Sequence, residues 1–383
     1  MDYDFDRVVP RRQTESIKWN WCEEDELPMW VADMDFRSPK AVIEALHARV
    51  EHGVFGYGQC SDDLRRAIVE RLERLYAWSV APEALVFLPG VVPGFNMAAQ
   101  AFCQPGDGLL VQTPVYPPML HAAENADLIS REMELTRRAD GEYKIDLDRF
   151  ATLARESRIF LLCNPHNPVG RVFRRTELER MAEVCLRHDV VICSDEIHCD
   201  LIFSGYEHLP IAALAPEIEA RTVTLMAPSK TFNIAGLSCA FAVVPDAELR
   251  ARFKEGRLGL VGHPNVLGYT AALAAYQEGG PWLEALLTYL EANRDFTHEY
   301  VEAELPGIDM ASPEGTYLAW LDCRNAEIPG NPYDFFREEA RVMLNDGAAF
   351  GPGGQGFVRL NFGTPRALLE EGLGRMRQAL LEL

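Results

Sequence analysis

From Leu85 onward the chain sets short apolar runs between longer stretches of helical periodicity, the pattern of a parallel sheet whose strands are joined by crossover helices. No other feature narrows the fold as much. The candidate strands are Leu85–Leu88, Leu109–Gln112, Ile159–Cys163, Val190–Ser194, Val223–Met226 and Cys239–Val244. Between the third and fourth, Thr176-Glu177-Leu178-Glu179 reads as a capping box, with Leu178, Met181, Ala182 and Cys185 on one helix face.

Either side of this region the pattern differs. Upstream, a segment through about Asp25 carries Arg11, Arg12, Trp19 and Trp21 without a clear period and is expected to be a docking arm. Ser38 and Pro39 are expected as N-cap and first residue of a helix with Val42, Ile43, Leu46 and Val50 at helical spacing, ended by Gly53. A second, charged helix from Asp62 to Tyr76 puts Leu64, Ile68, Leu72 and Leu75 on one face. Downstream, the break at Gly279-Gly280-Pro281 precedes a long helix from Trp282 to about Leu305. Strand-like pieces at Tyr317–Leu321 and Phe357–Asn361 follow, then a last helix with Thr364 as its cap and Pro365 at its first position. A large domain over residues 46–275 and a smaller α+β domain built from 1–45 and 276–383 are therefore expected.

A length of 383 residues with 48% apolar content suits two globular domains. The balance of 37 basic against 58 acidic residues, a formal charge of −21, repels phosphate backbones and anionic lipid, so neither nucleic acid nor membrane is an expected partner. Nine scattered cysteines without C-x-x-C spacing fit a reducing compartment, and the acidic start Met1-Asp2-Tyr3-Asp4-Phe5 lacks the regions of a leader; a cytoplasmic location is expected.

The chemistry-bearing residues follow the candidate strands, where open parallel sheets bind ligands. Lys230, in Ala227-Pro228-Ser229-Lys230-Thr231, sits in an uncharged stretch after an apolar run. Apolar surroundings disfavour its ammonium form and free the amine to attack a carbonyl. Asp195 in Ser194-Asp195-Glu196-Ile197-His198 needs a cationic partner if buried, and a protonated pyridine nitrogen would serve. The same Asp, Glu and His also suggest a metal, though without further ligands at metal-site spacing no metal is expected. In Asn164-Pro165-His166-Asn167-Pro168 either turn formation or donation from Asn167 to a phenolic oxygen explains the asparagines. Tyr116, in the stiff Thr113–Pro118 segment, can stack on a heterocycle or cover the core. Gly90-Val91-Val92-Pro93 opens a helix whose Val91 and Val92 amides can face an anion.

Together Asn167, Asp195 and Lys230 resemble the cofactor triad of the pyridoxal-phosphate enzymes of fold type I, the aminotransferase superfamily. The segments WVADMDF, VFGYG, PGVVPG, TPVYPP, NPHNPVGR, SDEIH, PSKTFN, PEGTYL and RLNFGTP extend the resemblance over nearly the whole chain and are most similar to the cystathionine β-lyase branch, the MalY/PatB type. The resemblance implies an α/β fold, a large domain with a mostly parallel seven-stranded sheet between helices plus a smaller α+β domain. It implies pyridoxal 5'-phosphate as cofactor, with Lys230 as the Schiff-base lysine, Asp195 on the pyridine nitrogen, Asn167 on the phenolic oxygen and Tyr116 stacked on the ring. Arg359 is implied as the clamp for the substrate carboxylate, with Ala32 also in contact with substrate. It further implies a homodimer in which Tyr57 reaches the partner's cofactor phosphate.

Two positions depart from the family pattern. Ser238 stands eight residues after the lysine, where an arginine often binds phosphate, so Val91, Val92 and Ser229 must contribute more; His198 stands where many transaminases have a tyrosine and is expected near the cofactor. The expected activity is carbon–sulfur β-elimination from cystathionine or a related L-cysteine thioether. An aminotransferase is the alternative, and a cofactor-binding regulatory protein acting through a protein partner the second.

Overall fold

The computed structural model describes residues 3–383; Met1 and Asp2 of the expected arm lie outside it. Seven strands form the main sheet: β1 Leu85–Leu88, β2 Gly108–Thr113, β3 Ile129–Glu134, β4 Ile159–Cys163, β5 Val191–Asp195, β6 Thr222–Met226 and β7 Ala240–Val243. Their spatial order is β1-β7-β6-β5-β4-β2-β3. The central strands are parallel, whereas β7 runs antiparallel to both β1 and β6.

Burial on both faces explains the uninterrupted apolar runs. Leu109, Val111, Leu161 and Val223 pack on one side against Phe95 and Met97 of the helix Val91–Phe102. Leu110, Phe160, Leu162 and Ile192 face the other way, onto Leu178 and Met181 of the helix Arg175–Arg187. Strand β3 escapes the apolar-run criterion because it is an edge: Ile-Ser-Arg-Glu-Met-Glu buries only Met133. Charges along an exposed edge also hinder pairing with another chain.

A second sheet is antiparallel, with β8 Asp309–Met310, β9 Leu318–Asp322, β10 Asn345–Asp346 and β11 Phe357–Asn361 in the order β8-β9-β11-β10. It packs into a core with Leu286, Leu290 and Val301 of the helix Gly280–Glu304 and Leu369, Leu373 and Met376 of the helix Arg366–Leu381. The buried Asn293 ties these parts together, its amide donating to Phe362 O at 3.0 Å and Thr364 O at 2.9 Å and accepting from Arg366 Nε at 2.9 Å.

Three helix starts differ from the sequence reading. Pro39 (φ −50, ψ 141) and Pro365 (φ −52, ψ 140) are extended, so each proline is itself the N-cap and helical geometry begins one residue later. Ser38 therefore caps nothing; its hydroxyl donates to Asn233 O at 2.9 Å. At the third start Thr176 lies inside the helix, and it is the Glu177 carboxylate that accepts the Arg174 N–H at 3.0 Å. Gly53 does end its helix at φ +76, the left-handed geometry that favours glycine. Leu75 and Val50, read as core-facing, are 40% and 52% exposed.

The N-terminal arm, expected to dock, has its place on its own chain. Arg11 bridges Asp33 and Asp35, each at 2.7 Å, and the buried Lys18 pairs with Asp35 at 2.6 Å. Trp19 Nε1 donates to Asp35 Oδ1 at 2.8 Å, and Trp21 stacks on Trp30. A two-residue strand, Leu27–Pro28, pairs in parallel with Val342–Met343. The arm thereby fixes residues 30–36 against the second sheet.

Candidate active site

The carboxyl ends of β2, β4, β5 and β6 open into a cavity of about 370 Å³ between the two sheets. Ala32, Val91, Val92, Tyr116, Asn167, Asp195, His198, Ser229, Lys230 and Arg359 all line it, as does Ser238. Tyr57 does not; it stands fully exposed on a loop with Val54 and Phe55.

Lys230 lies in the short helical turn Pro228–Thr231, four residues beyond β6. Behind it Thr231 donates to Asp200 Oδ2 at 2.8 Å, and Asp200 is paired with Arg71, so the turn is anchored from the protein side. Lys230 Nζ donates to Ala32 O at 2.6 Å. Burial brings its pKa from 10.5 down to about 8, with Arg359 acting in the same sense and Asp33 and Asp195 opposing. An amine so placed is available as a nucleophile near neutral pH.

Asp195 ends β5 and is 4% exposed. Burial pushes its carboxyl up to about 7, against the hydrogen bond from Ile197 N–H at 3.1 Å and the charge of Lys230. Such a carboxyl is suited to a cation delivered by a ligand. The neighbouring Glu196 turns away from the cavity: it accepts from Ser194 Oγ at 2.8 Å and pairs with the buried His208 at 2.9 Å. Asp195 and Glu196 thus diverge, which separates the local cluster that had suggested a metal.

The two asparagines take different positions. Asn164 is structural, its Oδ1 accepting Phe173 N–H at 3.1 Å, whereas Asn167 reaches the cavity. Asn167 Oδ1 accepts from Arg359 Nη1 at 2.9 Å, which leaves its amide N–H groups to face a ligand. Its carbonyl accepts Tyr116 N–H at 3.1 Å, setting the tyrosine beside it. Burial, with Asp195 adding to it, raises the Tyr116 hydroxyl pKa and keeps the ring neutral.

Arg359 is 4% exposed on β11, and burial lowers it only to about 10, so it remains a cation. Besides Asn167, its guanidinium donates to Asn345 Oδ1 at 2.6 Å and Trp30 O at 3.0 Å. A cation held in a fixed plane at a cavity wall can take a carboxylate bidentately. His198 is 3% exposed, lies edge-on to Tyr317, and has no hydrogen-bond partner at Nδ1; burial and the charges of Lys230 and Arg359 keep it neutral. The helix Val91–Phe102 begins at the cavity, which Val91 and Val92 line together with Ser229 and Ser238, so unpaired first-turn amides are available there for an anion.

Sequence reasoning missed Asn345, Tyr317 and Asn361. Asn345 pairs across strands with Arg359 and orients it. For Asn361 a signal existed, because it stands two residues after Arg359 and so shares its face of β11. No comparable signal marks Asn345 or Tyr317.

The chain matches the family described as aminotransferase class I and II over residues 25–376. It is 42% identical to cystathionine beta-lyase PatB of Bacillus subtilis, covering 98% of this chain and all of that one. To protein MalY of Escherichia coli it is 35% identical, with 99% of each chain covered. Among solved structures, cystalysin from Treponema denticola, which contains pyridoxal 5'-phosphate, superimposes over the full length of both chains with a TM-score of 0.96 at 32% identity.

Proposed function

The chain belongs to the aminotransferase class I and II family, and we infer that it is a pyridoxal-phosphate carbon–sulfur β-lyase cleaving L-cystathionine or a related L-cysteine thioether to pyruvate, ammonia and a thiol. Full-length similarity to cystathionine β-lyases carries the choice of reaction. The convergence of Lys230, Asp195, Asn167 and Arg359 on one cavity supports the cofactor and the substrate class.

The cavity fits the cofactor on its own chemistry. It offers a depressed amine, a buried carboxyl in need of a cation, an aromatic side chain in Tyr116 and a helix N-terminus flanked by two serines. Bound pyridoxal phosphate supplies an aldehyde for amines and a ring that takes up the electron pair left at the substrate α-carbon. Lys230 would hold the cofactor covalently and, freed as an amine when the substrate amine takes its place, would accept the α-proton. Asp195 would keep a proton on the pyridine nitrogen, Asn167 would donate to the phenolic oxygen and Tyr116 would offer its ring to the heterocycle. The Val91 and Val92 amides with Ser229 would hold the phosphate. Arg359 takes the substrate carboxylate and fixes which bond at the α-carbon stands over the ring. The thiolate then leaves the β-carbon, and the remaining three-carbon enamine hydrolyses to pyruvate and ammonia.

We also propose a cytoplasmic homodimer with Tyr57 contributing to the partner's phosphate site. Supporting this are the exposure of Val54, Phe55 and Tyr57 on one loop and of Leu258 and Leu260 on another, an apolar surface of the kind that marks an interface. Nine free cysteines, seven of them buried, fit a reducing compartment, and no helix among the described residues is long and apolar enough to cross a membrane. The division at residues 46–275 follows the two sheets and is likewise proposed. Thiol release from cystathionine by the purified chain, abolished in Lys230→Ala, tests the functional reading; release that survives that substitution overturns it.

A further inference from the structure

Four consecutive main-chain carbonyls, Trp30 to Asp33, the first three belonging to residues that line the cavity, are each held by a side chain. Arg359 holds Trp30 O at 3.0 Å, and Asn361 Nδ2 holds Val31 O and Asp33 O, each at 2.6 Å. The carbonyl between those two takes a different pair of donors: Ala32 O accepts from Lys230 Nζ at 2.6 Å and from the Tyr317 hydroxyl at 2.8 Å. Tyr317 is 1% exposed, and burial keeps its hydroxyl protonated, so it remains a donor across the working pH range.

We propose that Tyr317 is a positioning residue for Lys230, which shares the Ala32 carbonyl with the lysine and so holds the amine in place while limiting how strongly that carbonyl stabilises its ammonium form. This rests on the reading of Lys230 as the cofactor-bearing lysine. A carbonyl oxygen has two lone pairs, and two donors saturate it. Charge-assisted hydrogen bonds are the stronger kind, so an acceptor relieved of Tyr317 would favour ammonium over amine. The tyrosine thus works on the nucleophile through a main-chain atom, and it ties the second sheet, where it immediately precedes β9, to the lysine after β6.

The test uses the full-length chain, stripped of cofactor, mixed with pyridoxal phosphate across a pH series and quenched with borohydride; label on the Lys230 peptide is quantified by mass spectrometry. Removing the competing donor raises the lysine pKa. Tyr317→Phe therefore moves the capture midpoint to higher pH and slows capture about fivefold near neutrality, equivalent to about 1 kcal/mol at 1.36 kcal/mol per tenfold. A midpoint that coincides with wild type, with or without a loss of thermal stability, overturns the proposal. Should the Phe variant fail to fold, 2,3-difluorotyrosine placed at position 317 alone, a stronger donor, decides: the midpoint falls if Tyr317 acts as described, and an unmoved or raised midpoint refutes it. Wild-type label on a lysine other than Lys230 sinks the functional reading instead, while label on Lys230 with an unmoved midpoint sinks only the role of Tyr317.

Discussion

Replacing Asp195 by asparagine removes a charge with almost no change in volume. With the Ile197 N–H and the Lys230 charge opposing it, burial still pushes this carboxyl from an ordinary 3.8 to about 7, so holding it ionised in the folded chain costs about 4 kcal/mol at 1.36 kcal/mol per pKa unit. Among the described residues only the Ile197 N–H bonds to the carboxylate, and the Lys230 charge helps from a distance. On the proposed reading a protonated pyridine nitrogen would be the partner that offsets the rest, and breaking a buried pair of this kind typically costs about 3–5 kcal/mol. Asparagine cannot keep that nitrogen protonated, and the ring then takes up the α-carbon's electrons less well. A loss of about 4 kcal/mol corresponds to about a thousandfold slower removal of the α-proton. Exchange of the substrate α-proton with deuterated solvent, followed by NMR on protein shown by absorbance to carry its cofactor, measures this step directly. Exchange within about tenfold of wild type would refute the argument, because the carboxylate could then not be what sustains the ring's charge.

The same carboxyl gives a stability signature in cofactor-free protein. An acid whose folded pKa is raised stabilises the fold at low pH and loses that contribution as pH rises from about 4 through about 7, so Asp195→Asn melts above wild type near pH 8 and the gap closes toward pH 4 in a calorimetric series. Mixing the inactive Tyr57→Ala and Lys230→Ala chains restores one intact site per heterodimer; activity that stays at the level of the parents after verified subunit exchange argues against a shared site. Asn293→Ala strands the Phe362 and Thr364 carbonyls and is expected to cost about 2–4 kcal/mol, read from the denaturant midpoint; a loss under about 0.5 kcal/mol contradicts the assigned role.

What the sequence made legible depended on whether a residue's chemistry was its own. Strands such as Ile159–Cys163 are legible because burial on both faces leaves nothing but apolar residues, whereas Ile129–Glu134 at the sheet edge carries the composition of a loop. Ser38 and Thr364 misled because proline's fixed φ fits the extended N-cap as readily as the first helical turn. Lys230, Asp195 and Asn167 stood out as polar groups at, or within four residues of, the ends of buried strands. Asn345 and Tyr317 did not, since they act on Arg359 and on a main-chain oxygen whose positions only the fold brings near. The arm's seat on Asp33 and Asp35 was hidden for the same reason, being a pairing of residues about 20 positions apart with no shared period.

For a β-lyase, the electron pair left at the α-carbon must expel the β-thiolate rather than return a proton to the cofactor. Cystathionine supplied alone, with no keto acid, decides between these. The predicted result is pyruvate, ammonia and homocysteine in equal amounts over many turnovers per cofactor. A single half-reaction that leaves the cofactor as the amine, with turnover resumed only on adding 2-oxoglutarate and no thiol released, would contradict it and assign the chain to transamination.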